Sequence, residues 1–368
     1  MNHQCHVIPE STATVNGCLT QPATPILTPE EAEISRYLSE LIIPHSLLNE
    51  AYKGAQRVIE RNNVLSELDH AVIVGESGCG KTTLCDIIQK EYGDQETEFR
   101  LGYQFKMPVL ITSIKSPVTN RSLARNLLRA MGDETALNGT SHVLTERLIL
   151  QMEHIETKVI ILDESHDLFT LGARGKNGVS KELGAALNWI KALINRTKVT
   201  VILMGLPQTI DLINSDEQLA RRFKSTFHLK TFSPPSESDT GLADFVDDLL
   251  TFLTVSMEQY FDDYTAFNDH RDCANRLYLA TGGSPARVKA LVMDAACLAV
   301  KAKDRIITAA HFEMAFHSTA ETNARIKMAC THTREQHDAM DQLYTDKAIN
   351  PFAVPTAELV ALIGAARV

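Results

Sequence analysis

Gly75-Glu76-Ser77-Gly78-Cys79-Gly80-Lys81-Thr82 is the stretch that decides the fold. It matches G-x-x-x-x-G-K-[ST] without a deviation. It follows an apolar run, Ala71-Val72-Ile73-Val74, and precedes a helical pattern, Thr83-Leu84-Cys85-Asp86-Ile87-Ile88. Strand, glycine loop and helix are the context this motif needs. The glycines let backbone N–H groups curl round a phosphate where no side chain would fit. The following helix points its positive dipole end at the same phosphate. Lys81 would reach the β- and γ-phosphates of a nucleotide, and the Thr82 hydroxyl would ligate Mg²⁺. The nucleotide-contacting set read from the motif is Gly75, Glu76, Ser77, Gly78, Cys79, Gly80, Lys81, Thr82 and Thr83. Cys79 and Cys85 read as small loop and helix fillers.

The 368 residues suffice for two domains, and 44% hydrophobic with 22% charged residues is an ordinary globular composition. No apolar run approaches the ~18 residues of a membrane span, so no membrane partner is expected. The first residues, Met1-Asn2-His3-Gln4-Cys5-His6, lack the basic and apolar regions of a secretory signal. The seven cysteines are scattered, with no C-x-x-C pair, which argues against a zinc or disulfide framework and fits a reducing cytoplasm. The net charge of −10 argues against nucleic acid, but its distribution argues the other way. Residues 100–132 hold six basic residues and no acidic one, whereas 231–270 hold nine acidic residues and no Lys or Arg. A chain so polarised can offer a basic face to a polyanion despite its overall sign, although a solvated helix face would look the same.

Residues 1–28 are rich in Thr, Pro, Asn and Gln and read as a mobile arm. Thr28-Pro29-Glu30-Glu31 is a helix start, and 46–62 reads as a second helix. Apolar runs at 71–74, 108–112, 159–162 and 199–204 read as strands buried on both faces, as in a parallel sheet. Between them lie helical patterns, among them the stripe Leu183, Leu187, Ile190, Ile194. This predicts an α/β core of parallel strands over 29–233, N-terminal helices included. Pro234 and Pro235 break the pattern, and 234–316 read as a small all-α domain with no strong strand. Residues 317–368 form a tail that ends in a short apolar helix and would dock either on a partner or on the chain's own helical domain.

A second signature follows at Val159-Ile160-Ile161-Leu162-Asp163-Glu164. A buried strand here delivers two carboxylates at its C-terminal edge, where ligands bind in open α/β sheets. Asp163 would hold Mg²⁺ through water, and Glu164 would polarise the attacking water.

From these motifs the chain resembles the AAA+ ATPases: a P-loop parallel-sheet domain followed by a small all-α lid. The resemblance implies ATP and Mg²⁺ as cofactors. It also implies a polar sensor after the strand Val199–Met204. The sensor slot itself is not clearly polar, and Gln208 or Thr209 stands nearest to it. An arginine finger reaching a neighbour's γ-phosphate falls on Arg222, with Arg221 second. A lid arginine falls on Arg287, after the turn Thr281-Gly282-Gly283-Ser284-Pro285. Within that group the phosphate loop, Asp163-Glu164-Ser165-His166 and Leu203-Met204-Gly205-Leu206-Pro207-Gln208 are similar to the transposition regulators TnsC and TniB. That likeness implies a protein that assembles with itself as rings or filaments on double-stranded DNA. It further implies transposase subunits and a target-selector protein as partners. The DNA contacts would come from the segment after the second core strand, on Lys115, Asn120 and Arg121, with Thr140 and Ser141 in the following turn. The loop 172–178 would face DNA or a neighbouring subunit. Replication-initiator-like and secretion-associated ATPases, and a scaffold that uses nucleotide only as a switch, are the alternatives.

Overall fold

The computed structural model describes residues 27–93, 95–99, 102–115, 118–171, 181–236, 238–264, 270–318, 350–356 and 359. Helices α1 (Pro29–Glu40) and α2 (Ser46–Asn62) precede the first strand, β1 (Ala71–Gly75). Helix α3 (Lys81–Tyr92) follows the glycine loop. Next come a hairpin of β2 (Gln95–Phe99) and β3 (Gly102–Lys106), then β4 (Val109–Ser113), α4 (Asn120–Ala130) and α5 (Ser141–His154). The alternation continues through β5 (Val159–Asp163), α6 (Lys181–Arg196), β6 (Thr200–Gly205), α7 (Gln208–Asn214), α8 (Glu217–Ala220) and β7 (Ser225–Leu229).

Among the described residues β4, β5, β6, β1 and β7 form one sheet in that order, every pairing parallel. Alternate residues of a strand point to opposite faces, so the same apolar runs supply two cores. Val72, Val74, Leu110, Ile160, Leu162, Val201 and Leu203 pack under α4, α5, α6 and α7. Ala71, Ile73, Val109, Val159, Ile161, Ile202 and Met204 pack under α2 and α3. The predicted stripe Leu183, Leu187, Ile190, Ile194 is buried in the first of these. The four apolar runs became β1, β4, β5 and β6. Strand β7 has no such run. It lies at the sheet's edge and alternates exposed and covered residues.

The helical part contains α9 (Gly241–Ser256), α10 (His270–Thr281) and α11 (Pro285–Ala302). Two-residue strands, β8 (Asp263–Tyr264) and β9 (Ile306–Ile307), pair beside them. Its core includes two residues from far upstream, Ile34 and Leu38 of α1. Helix α1 begins with the capping box read from its sequence: Glu31 N–H donates to Thr28 Oγ1 and Thr28 N–H donates to Glu31 Oε2. Sequence order groups α1 with the sheet, but its apolar side packs on α11. The Lys289 ammonium holds the arrangement by donating to Ser39 O and Leu41 O at 3.0 and 2.7 Å.

The described part of the tail lies on the chain's own helical domain. Phe352 stacks on Phe312 with ring centroids 5.5 Å apart and is 7% exposed. Arg276, buried and paired with Asp272 at 2.9 Å, donates to Pro351 O and Val354 O, each at 2.8 Å, and to Thr356 Oγ1. A buried charge of this kind needs hydrogen-bond partners, and Asp272, two tail carbonyls and the Thr356 hydroxyl supply them.

Candidate functional site

The parallel sheet brings the two motifs together. Strand β6 separates β1 from β5, so Gly75 and Asp163 end neighbouring parts of one edge, about 10 Å apart across the strands. Gly78 and Gly80 hold φ of 81° and 94°, left-handed values that glycine adopts without strain. Lys81 is buried and its ammonium donates to Gly75 O at 2.7 Å and Glu76 O at 3.0 Å, so the loop curls around it. Thr82 and Thr83 follow on the first turn of α3. Cys79 and Cys85 are buried fillers. Burial pushes the Cys85 thiol up to about 12, which leaves it unreactive.

Asp163 is buried at the end of β5, with one carboxylate oxygen accepting the Glu164 N–H at 2.8 Å. Glu164 has φ 54°, a strained value for a glutamate, and its carboxylate is exposed. A lysine in a glycine cradle, hydroxyls at a helix start and a buried carboxylate opposite form a donor set that fits a Mg²⁺–nucleotide. Gln208 is exposed at the start of α7. Thr209 is fully buried, and its hydroxyl lies 3.4 Å from Ser165 Oγ. Its neighbour in the turn, Gly205, is required by space: a Cβ there would come within 2.6 Å of Thr209 Oγ1.

The helical domain reaches this edge. Ala286 N–H donates to Gly78 O at 3.1 Å and Ser284 Oγ to the same carbonyl at 3.4 Å. The first turn of α11 is thus fastened to the glycine loop, and Arg287 is exposed on that turn.

Arg221 and Arg222 lie elsewhere. They precede β7, whose Ser225 is level with Ala71, so they sit at the opposite edge of the sheet from Gly75. The five residues of β1 between those edges span roughly 17 Å. The Arg222 backbone is pinned by the His70 N–H, 3.0 Å from its carbonyl. Its side chain is 30% exposed, with Glu67 Oε1 at 4.0 Å. Arg221 pairs with Glu217 on the surface. Glu67, Lys191, Asn195, Gln218, Arg221 and Arg222 line a cleft of about 330 Å³. Beneath it Asp69, itself buried, pairs with Arg61 at 3.1 Å and Lys224 at 2.9 Å. Fully buried His70 takes the Val201 N–H on Nδ1, and burial lowers its pKa to about 4.

The residues proposed from sequence for DNA follow β4, at the edge of the sheet away from β7. Lys115 is exposed there. Asn120 begins α4, and the exposed Arg121 donates to Leu137 O at 3.1 Å, which draws the turn before Thr140 towards α4. Thr140 caps α5 by accepting the Val143 N–H, and Ser141 is the first residue of that helix. The loop 172–178 lies outside the described residues.

A family model described as "Bacterial TniB protein" matches residues 36–234, more than half of the chain. The chain belongs to the TniB family. The match ends at Pro234, so the helical domain falls outside it. No curated protein matches by sequence. Among solved structures the fold is similar to that of the ORC2 protein of Aeropyrum pernix in its ADPNP-ADP complexes. The identity is 12% and the TM-score 0.53, over 90% of this chain and 96% of that one. Weaker likenesses are to the Aeropyrum pernix ORC1 protein in complex with DNA (13%, TM-score 0.46, over 95% and 85%) and to Cdc6p of Pyrobaculum aerophilum (14%, TM-score 0.47, over 76% and 70%). At 12% identity the first likeness concerns the fold, and that fold is the AAA+ one: an α/β P-loop domain with a helical part behind it. No described helix of this TniB-family protein is long and apolar enough to cross a membrane.

Proposed function

We propose that this TniB-family protein is an ATPase that assembles on double-stranded DNA and presents the bound target to a transposase and a target-selector protein. Lys81, the loop backbone and Thr82 would hold the phosphates and Mg²⁺, with Asp163 completing the metal's water shell. Glu164 would accept the proton of the attacking water, and Arg287 would bridge the lid to the phosphates. Bound Mg²⁺ would supply charge neutralisation on the β- and γ-phosphate oxygens.

The observation that carries the reading is the separation of Arg222 from Lys81 and Glu164 by the height of the sheet. An arginine so placed cannot meet its own chain's nucleotide, but it can meet that of a second copy stacked head to tail. Heterologous contacts of that kind build rings or filaments. Lys115, Asn120, Arg121 and Thr140 would face the DNA backbone, giving affinity that falls steeply with salt and ignores sequence.

The test is electron microscopy of the protein with duplex DNA and a non-hydrolysable ATP analogue. Rings or filaments are expected; a monomer under every nucleotide and DNA condition would rule the reading out.

A further inference from the structure

The turn that carries Glu164 holds a second titratable side chain. His166 comes two residues later, and its imidazole is 23% exposed. Its Nδ1 lies 3.2 Å from Glu164 Oε2, and its Nε2 lies 3.9 Å from Asp167 Oδ1. The ring therefore stands between two carboxylates, one of which is the proposed base. We propose that His166 is a positioning residue for Glu164: it sets the direction of that carboxylate and couples it to the end of β6. The inference rests on the hydrolytic reading of Glu164.

The backbone explains why such a group is needed. The left-handed φ of 54° at Glu164 swings its side chain out of the line of β5. The carboxylate that results is 48% exposed. A glutamate with three rotatable side-chain bonds in that setting samples many directions, and a base must be held in one. A neutral imidazole with its proton on Nδ1, or a protonated one, can donate to a carboxylate oxygen at this distance. The ring nitrogen stands off the hydrogen-bond axis here. Contacts of this kind tighten when substrate is seated.

The placement of His166 is itself fixed from below. Ser165, fully buried, donates from Oγ to Met204 O at 2.8 Å and touches Thr209 Oγ1. A Cβ at Gly205 would lie 2.9 Å from Ser165 Oγ and 3.1 Å from the His166 backbone nitrogen. The end of β6 and the turn after β5 are thus joined by the Ser165 hydroxyl and packed closely at Gly205. This places the end of β6, where a polar sensor is expected, against the base through Ser165 and His166. No polar side chain of its own is required at that strand end.

The surroundings of the ring bear on the choice of role. Asp167 N–H donates to Glu164 O at 2.9 Å, so the turn that presents His166 also closes on the residue it orients.

The test is steady-state ATP turnover of the full chain on duplex DNA. Four proteins are compared: wild type, Glu164→Gln, His166→Ala and His166→Asn. His166→Ala is expected to lower kcat by about tenfold or more with KM and nucleotide affinity unchanged, the signature of an interaction made in the transition state. His166→Asn, whose amide can donate to the same oxygen, is expected to recover part of the loss. If His166→Ala keeps wild-type kcat, the proposal is overturned. It is equally overturned if KM rises in step with the loss of kcat, or if His166→Asn is no better than His166→Ala at equal thermal stability. Glu164→Gln separates the two levels: should it turn over ATP like wild type, the hydrolytic reading of Glu164 fails first.

Discussion

The two edges of the sheet are built differently, and the difference separates Lys81 and Glu164 from Arg222. The C-terminal edge, after β1, β5 and β6, is made of backbone in unusual conformations: left-handed Gly78 and Gly80, left-handed Glu164, and Gly205 with no room for a methyl group. The N-terminal edge, before β1 and β7, is made of ordinary backbone locked by side chains. There Asp69 takes Arg61 and Lys224, Asn62 bonds both N–H and C=O of Asp69, and His70 holds the Arg222 carbonyl. The first edge is a cradle that a small anion can fill. The second is a rigid mount that holds one arginine outward. Within one chain they face away from each other, so under the proposed function the cradle of one copy would be completed by the mount of another.

The largest expected effect comes from breaking the cradle. Lys81→Ala removes the ammonium around which the loop is folded. It should abolish nucleotide binding, measured by calorimetry, and assembly on DNA with it. Glu164→Gln and Arg222→Ala break one edge each and leave nucleotide binding in place. Each should lower turnover by about a hundredfold or more, the range for losing a base or a charge-stabilising arginine. Arg222→Ala should leave the monomer's thermal stability nearly unchanged, because the ion pair its side chain makes with Glu67 is long, at 4.0 Å.

Removing Arg276 tests the helical domain instead. Arg276→Ala strips Asp272 of its buried partner and the tail of its anchor, with an expected cost of about 3–5 kcal/mol in chemical denaturation. The smallest effect per side chain is a pH dependence. His70 and His45 are held neutral by burial, each with a pKa lowered from 6.5 to about 4. Above pH 6.5 neither state binds these protons and stability is full. As pH falls from 6.5 to 4 the unfolded chain takes up protons that the folded chain refuses. Stability then drops by up to roughly 3 kcal/mol per histidine and levels off below 4. Melting curves across that window, compared with His70→Gln, give the share belonging to the N-terminal edge.

Much of the sheet is legible in the sequence because parallel strands buried on both faces write continuous apolar runs. Strand β7 is less so. As an edge strand it buries one side only, and Ser225-Thr226-Phe227-His228-Leu229 carries a weak alternation. The hairpin of β2 and β3 is not legible in the sequence, because Gln95-Glu96-Thr97-Glu98-Phe99 contains no apolar stripe. The packing of α1 on α11 and of Phe352 on Phe312 was invisible for another reason: amphipathic pattern says that a face is buried but not against what. The glycine loop and the pair Asp163-Glu164 are local motifs and were readable whole. The His166 contact depends on the sign of one φ angle at Glu164, and a left-handed glutamate has no signature in sequence.

Mixing two inactive variants tests directly whether one site is assembled from two copies. Glu164→Gln keeps Arg222 and Arg222→Ala keeps Glu164. In random heterologous assemblies about a quarter of the sites pair an intact Glu164 with an intact neighbouring Arg222. An equimolar mixture on duplex DNA should therefore recover about a quarter of wild-type ATP turnover, while each variant alone stays near zero. A mixture no more active than its components, or Arg222→Ala turning over ATP like wild type by itself, would show that no site is shared between copies.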